Sequence, residues 1–511
     1  MRHAEPGSDW LEVDRVFRRV GSFIPGKQGL LGDQRYRMKN GTGGEQRLMS
    51  WPLEARRASS CGSALASILL DFPLKTSLRG LKPTRARVGL CCLFAFAFGL
   101  GFQPVEAAVI EVNGPGESIQ AAIDLANDGD VILIAPGTYV EPLIIEHNFI
   151  TLASCFFTTG DPSCIENTII EGVGRFNTDP NIVRIKSAAP DGSRFIGLTF
   201  QNGADGIHAS AHFEFRNSVV RLCGDGLDYD GGSGGLVIDS VIEDNFEDGI
   251  DIDGVVDVTI QDSVIRRNWD EGIEIRIDDQ PNFPNSIFVI AIRGNTITEN
   301  FQDGIQLINS DTLTPREIII DRNIIANNLK SGVGMMCCGN TLEDFQGAVF
   351  DESVTVTNNT FYQNDHGLTG GGNLVVLNNI FLESTNIGLK NATAGAVVAH
   401  NLFFGNGVNW LNSDVDLPTT LVSDPLVDSA FELSISSPAI DFGTAHFESG
   451  GMVLLDIPIE MYFGSAPDLG ARENMLEVPA VPVLSRHAIL ALVLALMAGL
   501  DFFQSRRLAN R

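Results

Sequence analysis

Between Asp225 and Asp279 the chain carries 17 Asp and Glu residues against three arginines, Arg266, Arg267 and Arg276. Carboxylates at that density hold a cation, retain protons or splay into water, because like charges repel. Their spacing is ordered: Asp205, Asp225, Asp248, Glu271 and Asp303 each stand directly before a Gly-apolar pair, and His208, Asp228, Asp251, Glu274 and Gln306 follow three residues later. Two residues further on, Asp230 and Asp253 align with Arg276. Three readings suit such columns. Hard oxygen ligands converging from successive units suit Ca²⁺, with Asp225, Asp228, Asp230, Asp248, Asp251, Asp253 and Glu274 as candidate ligands, although the strict nonapeptide of calcium-binding repeats is missing. Carboxylates about 5 Å apart can serve as acid and nucleophile on a glycoside. That makes His208, Asp228, Asp251, Glu274 and Arg276 a candidate catalytic set, with His208 as general base beside Asp228. The third reading is a solvated acidic face with some arginine pairing. His212 and His366 read as ordinary turn or surface residues; Met335, Met336 and Trp269 could line a groove, with core or turn packing as the default.

The elements that must position these columns come from a repeat running from about Arg194 to Asn406. Its clearest copy is Val258-Thr-Ile-Gln-Asp262-Ser-Val264-Ile-Arg-Arg-Asn268-Trp-Asp-Glu-Gly272-Ile273-Glu-Ile275. Each copy holds short runs of alternating apolar residues broken by polar turns, which is strand periodicity. Gly-apolar pairs fall at Gly206, Gly226, Gly249, Gly272, Gly304, Gly332, Gly367 and Gly388, in steps of 20, 23, 23, 32, 28, 35 and 21 residues. A coil of 20 to 23 residues with insertions fits one turn of a parallel β-helix, whereas propeller blades and helical solenoids need longer, more uniform periods. Two asparagine columns support this. One is Asn217, Asn295, Asn323, Asn359, Asn379 and Asn401, with Asp239 and Asp262 standing in. The other is Asn245, Asn268, Asn300, Asn328, Asn364 and Asn406. Stacked coils bring such turn residues about 4.8 Å apart, where asparagine tolerates αL and its amide bonds along the stack.

This pattern resembles the right-handed parallel β-helix superfamily that includes pectin lyases, over roughly Ile110 to Asp441. The resemblance implies an all-β solenoid and, where such proteins are enzymes, a polysaccharide lyase, epimerase or glycosidase. A lyase of that family would bring Ca²⁺ and a basic Arg or Lys, for which only Arg276, Arg266 and Arg267 are near. No Gly-His-Gly phrase of the polygalacturonase kind occurs, and Arg184-Ile185-Lys186 stands in the wrong chain order for that family's Arg-x-Lys. Asp424-Pro425-Leu426, Phe431-Glu-Leu433, Ser437-Pro-Ala-Ile-Asp441-Phe-Gly443 and Pro467-Asp-Leu-Gly-Ala471-Arg-Glu473 resemble the choice-of-anchor Q group of surface β-helix proteins. The tail, with Val481-Pro-Val-Leu-Ser485, an apolar run and Arg506, Arg507 and Arg511, resembles the IPTL-CTERM bacterial sorting signal. It departs in Val481, Val483, Arg486-His487 and Asp501.

Composition sets the partners. The formal net charge is −29, yet residues 1–87 carry 16 Lys/Arg against 8 Asp/Glu, which leaves 19 against 56 in the rest. Such a surface repels nucleic acid and favours cations or neutral ligands. Lys82, Arg85 and Arg87 precede an apolar run from Val88 to Phe102, a signal-peptide layout that leaves Ala108 as the mature N-terminus. Ser118 to Ala126 reads as a short amphipathic capping helix with Ser118 as N-cap. Cys155 and Cys164, flanking Gly160-Asp-Pro, suit a disulfide in an exported protein; Cys223, Cys337 and Cys338 are left over.

The expected organisation is a poorly structured or over-extended N-terminal region 1–87, signal peptide 88–107, N-terminal cap 108–143, coils 144–410, C-terminal cap region 411–478 and a C-terminal transmembrane or sorting helix 479–511. The expected protein is exported, envelope-anchored and monomeric, a glycan-binding surface protein with Ca²⁺ on its acidic flank. A carbohydrate-active enzyme using the same flank is the alternative.

Overall fold

The computed structural model of the chain describes residues 107–174, 180–277, 287–309, 316–336, 352–393 and 395–475. The proposed leader up to residue 106, the vicinal cysteines Cys337 and Cys338, and the tail 479–511 lie outside the described residues. Within them no helix is long and apolar enough to cross a membrane.

The short alternating runs form strands that return to the same place once per coil. The described strands build three parallel sheets of 12, 11 and 12 strands, in which each strand pairs with its counterparts one coil before and one coil after. The fold is therefore a parallel β-helix with three faces. Its first strand, Val109–Val112, pairs with Val131–Ile134, so the coils begin ahead of the capping helix. They reach Leu421–Val422, which pairs with Leu402–Phe404.

Alternation within each strand sends one set of side chains inward. Stacked in register, these form a continuous core of Ile, Val, Leu and Phe, among them Ile242, Ile265, Ile297 and Ile325. Phe361, Phe381 and Phe403 stack face to face with centroids 4.8 Å apart. Each such ring contributes about 1.5–3 kcal/mol by its removal from water.

The turns are held by side-chain ladders. Asn245, Asn268, Asn300, Asn328 and Asn364 are buried, and the Nδ2 of each of the first four donates to the Oδ1 of the next at 3.0–3.1 Å. Cys223 begins this ladder, its backbone N–H donating to Asn245 Oδ1 at 3.2 Å. That occupancy explains one of the leftover cysteines: its thiol is fully buried.

The second ladder differs from the sequence alignment by one residue. Ser218, Ser240 and Ser263 precede Asn295, Asn323, Asn359, Asn379 and Asn401 in the stack. Asn217, Asp239 and Asp262 stand one position earlier, with φ of 46°, 51° and 49°, in the left-handed turn that Asn and Asp tolerate. These three are turn formers, and the serines carry the ladder.

The helix Ile119–Leu125 is capped by Ser118, whose Oγ accepts from Ala121 N at 3.1 Å. Its Ile119, Ala122 and Ile123 close the N-terminal end of the core. A disulfide joins Cys155 to Cys164 across two short helices, Phe156–Thr159 and Ser163–Asn167. Beyond the coils, Leu433, Ala439 and Leu469 pack on Ile380, Leu382 and Leu402. An antiparallel hairpin, His446–Ser449 with Met452–Asp456, sets Phe447, Leu454 and Leu455 against Val375, Leu377 and Ala399. The C-terminal region thus covers the flanks of the last coils.

Candidate functional site

The second sheet brings the acidic columns together. Its strands Asp205–Ala209, Asp225–Tyr229, Ile250–Asp253, Ile273–Ile277 and Ile305–Asn309 pair so that His208, Asp228, Asp251, Glu274 and Gln306 are direct neighbours. Leu227 and Tyr229 on either side of Asp228 enter the core, which leaves Asp228 on the other face of the sheet. Asp253 pairs with Arg276, as the spacing predicts.

The turn column is built by the backbone. Asp225 Oδ1 accepts from Asp248 N at 2.9 Å, and Asp248 Oδ1 from Glu271 N at 2.8 Å. One oxygen of each carboxylate thereby tethers its coil to the next. The glycine that follows each acid cannot carry a side chain: a Cβ on Gly249 would lie 2.5 Å from Gly272 O and 2.6 Å from Asn268 Nδ2. Close approach of successive coils at these glycines draws the carboxylates of neighbouring coils together.

The outcome is a buried acidic centre. Asp248, Glu271 and Glu274 are 8%, 3% and 5% exposed, and each places a carboxylate oxygen within 4.8 Å of the others. Gln306 is fully buried beside them; its Nε2 donates to Glu271 Oε1 at 2.6 Å, and its Oε1 has no hydrogen-bond partner among the described residues. Asp251 Oδ1, on the adjoining coil, is likewise without one. Arg276 supplies a cation here, donating to Glu274 Oε1 and, at 3.1 Å, to Asp253 Oδ1.

Electrostatics follow from burial and crowding. Burial, then Glu271 and Asp225, push the Asp248 carboxyl well above the usual range. Asp225 is raised strongly as well, by burial and then by Asp251. Asp251 rises to about 8, through burial and the charges of Asp253 and Glu274, despite Arg276. Burial also raises Glu274, with Arg276 opposing. Burial disfavours the charged Arg276 guanidinium, but Glu274, Asp251 and Asp253 outweigh it and raise its pKa. Arg276 is thus a fixed cation and a poor base.

A second group forms around His208. Its ring lies between Asp205, Asp228 and Asp230: Nδ1 meets Asp228 Oδ2 and lies 3.7 Å from Asp205 Oδ2, and Nε2 lies 3.0 Å from Asp230 Oδ2. These three carboxylates raise the imidazole to about 11. The hydrogen bond to His208 holds Asp230 low, while burial raises Asp228. His208 is therefore imidazolium at neutral pH, a positive clamp between carboxylates, and it lacks the free nitrogen lone pair of a general base.

The residues singled out by sequence thus divide in two, with His208, Asp228 and Asp230 in one group and Asp248, Asp251, Asp253, Glu274 and Arg276 in the other. Asp225 tethers the turn between them. Glu271 and Gln306 were missed as ligand candidates, although both stood in the aligned columns. His366 is buried, and burial lowers its pKa; His212 is half-exposed beside Asp191.

A family model described as "Periplasmic copper-binding protein (NosD)" matches residues 159–366, less than half of this 511-residue chain. Comparison with curated proteins finds no match. Among solved structures, pectate lyase Pel9A is similar at 16% identity and a TM-score of 0.50, over 72% of this chain and 97% of that one. The A-module of the mannuronan C-5 epimerase AlgE4 from Azotobacter vinelandii is similar at 16% identity and a TM-score of 0.35, over 60% and 95%. The catalytic unit of a GH87 α-1,3-glucanase from Streptomyces thermodiastaticus strain HF3-3 gives 15% and 0.36, over 61% and 65%. At these identities the likeness to the pectate lyase shows the fold alone, a right-handed parallel β-helix.

Proposed function

We propose that the chain is an exported, envelope-anchored bacterial surface protein that binds glycans and holds Ca²⁺ in the acidic centre of its second sheet. The observation that carries the cation is the burial of Asp248, Glu271 and Glu274 with their oxygens within 4.8 Å of one another. Three carboxylates so placed are stable when protonated or when they share a cation, since their desolvation and mutual repulsion otherwise oppose folding. Asp251 and Gln306 flank Glu274 on the neighbouring strands, and Asp251 Oδ1 and Gln306 Oε1 are buried without a hydrogen-bond partner among the described residues. The set suits a hard cation that takes six to eight oxygens.

The copper in the matched family's description fits these residues poorly. The buried centre offers oxygen alone, and the second group offers one imidazole, whose nitrogens both face carboxylates. Copper sites favour several nitrogen or sulfur ligands. Metal analysis of the full chain, purified without chelator, tests the assignment. Calcium at roughly one equivalent is expected; copper in its place, or no metal after calcium loading, contradicts it.

The glycan reading is supported by the acidic composition, which disfavours polyanions and suits cations or neutral ligands. The choice-of-anchor and sorting-tail resemblances support anchoring at the envelope, with the protein acting as a monomer and without nucleic acid. A second reading, a polysaccharide lyase, epimerase or glycosidase, is favoured by Asp251, which stands beside Asp228 and Glu274 on the outer face of the second sheet and keeps its proton to about pH 8. A protonated carboxyl of that kind is what general-acid cleavage requires. Loss of glycan cleavage in Asp251→Asn would support this reading, and absence of any cleavage by the wild-type chain removes it.

A further inference from the structure

Immediately after the buried asparagines Asn245, Asn268, Asn300 and Asn328 stand Phe246, Trp269, Phe301 and Leu329. The backbone N–H groups of Trp269, Phe301 and Leu329 each donate to the carbonyl of the asparagine one coil earlier, at 3.0 Å. The ladder therefore fixes these side chains in a row along the helix axis. Ring centroids are 5.5 Å apart for Phe246 and Trp269, and 6.2 Å for Trp269 and Phe301. Trp269, Phe301 and Leu329 remain 57%, 52% and 62% exposed. Trp269 thus lies outside the core, in a turn, packed against Phe246 and Phe301. An apolar row rimmed by polar groups marks a binding surface.

We propose that Phe246, Trp269 and Phe301 form a stacking rail for an uncharged polysaccharide chain lying along the helix axis. The proposal rests on the glycan reading above and specifies its ligand. Successive coils advance about 4.8 Å, close to the advance per sugar of an extended pyranose chain. The C–H face of a pyranose is apolar and faintly positive, and it complements the negative face of an aromatic ring. Hydroxyl edges need polar partners, and each of the three rail residues is followed by one, Glu247, Asp270 and Gln302, as Leu329 beyond them is by Lys330. Gln302 Nε2 already donates to Asp270 Oδ1 at 2.7 Å, so these groups form a continuous polar edge. The buried acids Asp248, Glu271 and Asp303 come next on the same coils. That charge repels a polyanion and tolerates a neutral chain. A row one side chain wide is also too narrow for the apolar centre of a protein interface.

Isothermal titration of the full chain in calcium buffer provides the test, with cellohexaose, mannohexaose and laminarihexaose as neutral probes and polygalacturonate as the charged one. At least one neutral probe binds. Trp269→Ala and Phe301→Ala each weaken it by about tenfold, the scale of a lost stacking contact. Trp269→Phe restores most of the affinity, and Ile435→Ala, at an exposed apolar site in the C-terminal region, leaves it unchanged. Thermal melts of the unliganded variants confirm that they fold. Neutral binding that survives both alanine substitutions overturns the rail and leaves the glycan reading standing, as does binding of polygalacturonate alone. Binding of none of the four probes overturns both.

Discussion

Single carboxylates decide how this protein responds to pH. A carboxyl whose folded pKa is raised keeps its proton while the unfolded chain loses it, so its stabilising contribution is complete below the unfolded value and disappears as pH rises through the folded one. For Asp251 that window runs from the ordinary 3.8 to about 8. His208 acts in the same direction from 6.5 to about 11. Without divalent cations the melting temperature is therefore expected to fall steadily from pH 5 to pH 8. Saturating Ca²⁺ flattens the fall, because the cation replaces the protons on the neighbouring acids. Melts at constant ionic strength with EDTA or calcium check this; a flat profile in EDTA would contradict the burial of charge. Glu271→Gln and Glu274→Gln are expected to raise the melting temperature in EDTA and to abolish most of the calcium response. Gain and loss in the same variant separate a cation ligand from a merely structural acid.

At the scale of elements, the ladders and the glycine column hold the coils in register. Asn300 donates to Asn328 and accepts from Asn268, all buried. Asn300→Ala removes the acceptor of both Asn268 N and Asn268 Nδ2, whereas Asn328 Oδ1 keeps the Asn300 backbone N–H; it is expected to cost about 2–4 kcal/mol, readable by chemical denaturation, since each orphaned buried group costs about 1–3 kcal/mol. Gly272→Ala meets Gly304 O at 2.6 Å and Asn300 Nδ2 at 2.7 Å. It is expected to destabilise the chain by more than 2 kcal/mol and to weaken calcium binding, because it forces apart the coils that carry Glu271 and Asp303. The repeat, its strands and the outer-face pairing from His208 to Gln306 were legible in the sequence, because period-two alternation and recurrent Gly-apolar pairs report register directly. The ladder beginning at Ser218 was not. Asn and Asp are favoured both in αL turns and in ladders, so Asn217, Asp239 and Asp262 outshone the serines that follow them. Burial of Asp248, Glu271 and Glu274 was also hidden, since alternation alone assigns an outer-face residue to water.

For the whole molecule, a chain with 64 acidic and 35 basic residues concentrates acids on one face and leaves an aromatic row beside them. The parallel β-helix makes that possible because each coil repeats the same positions, so one favourable turn becomes a column. The same geometry gathers charge that a globular core would disperse, and a bound cation relieves it. Calcium should therefore stabilise the folded chain as a unit, by about 2.7 kcal/mol at a hundredfold excess over Kd. The most direct measurement is calcium titration of the full chain followed by thermal unfolding, alongside Glu271→Gln. A saturable rise in melting temperature that is absent from the variant is the predicted result. No rise in the wild-type chain, or an equal rise in both proteins, would contradict a cation held between Asp248, Glu271 and Glu274.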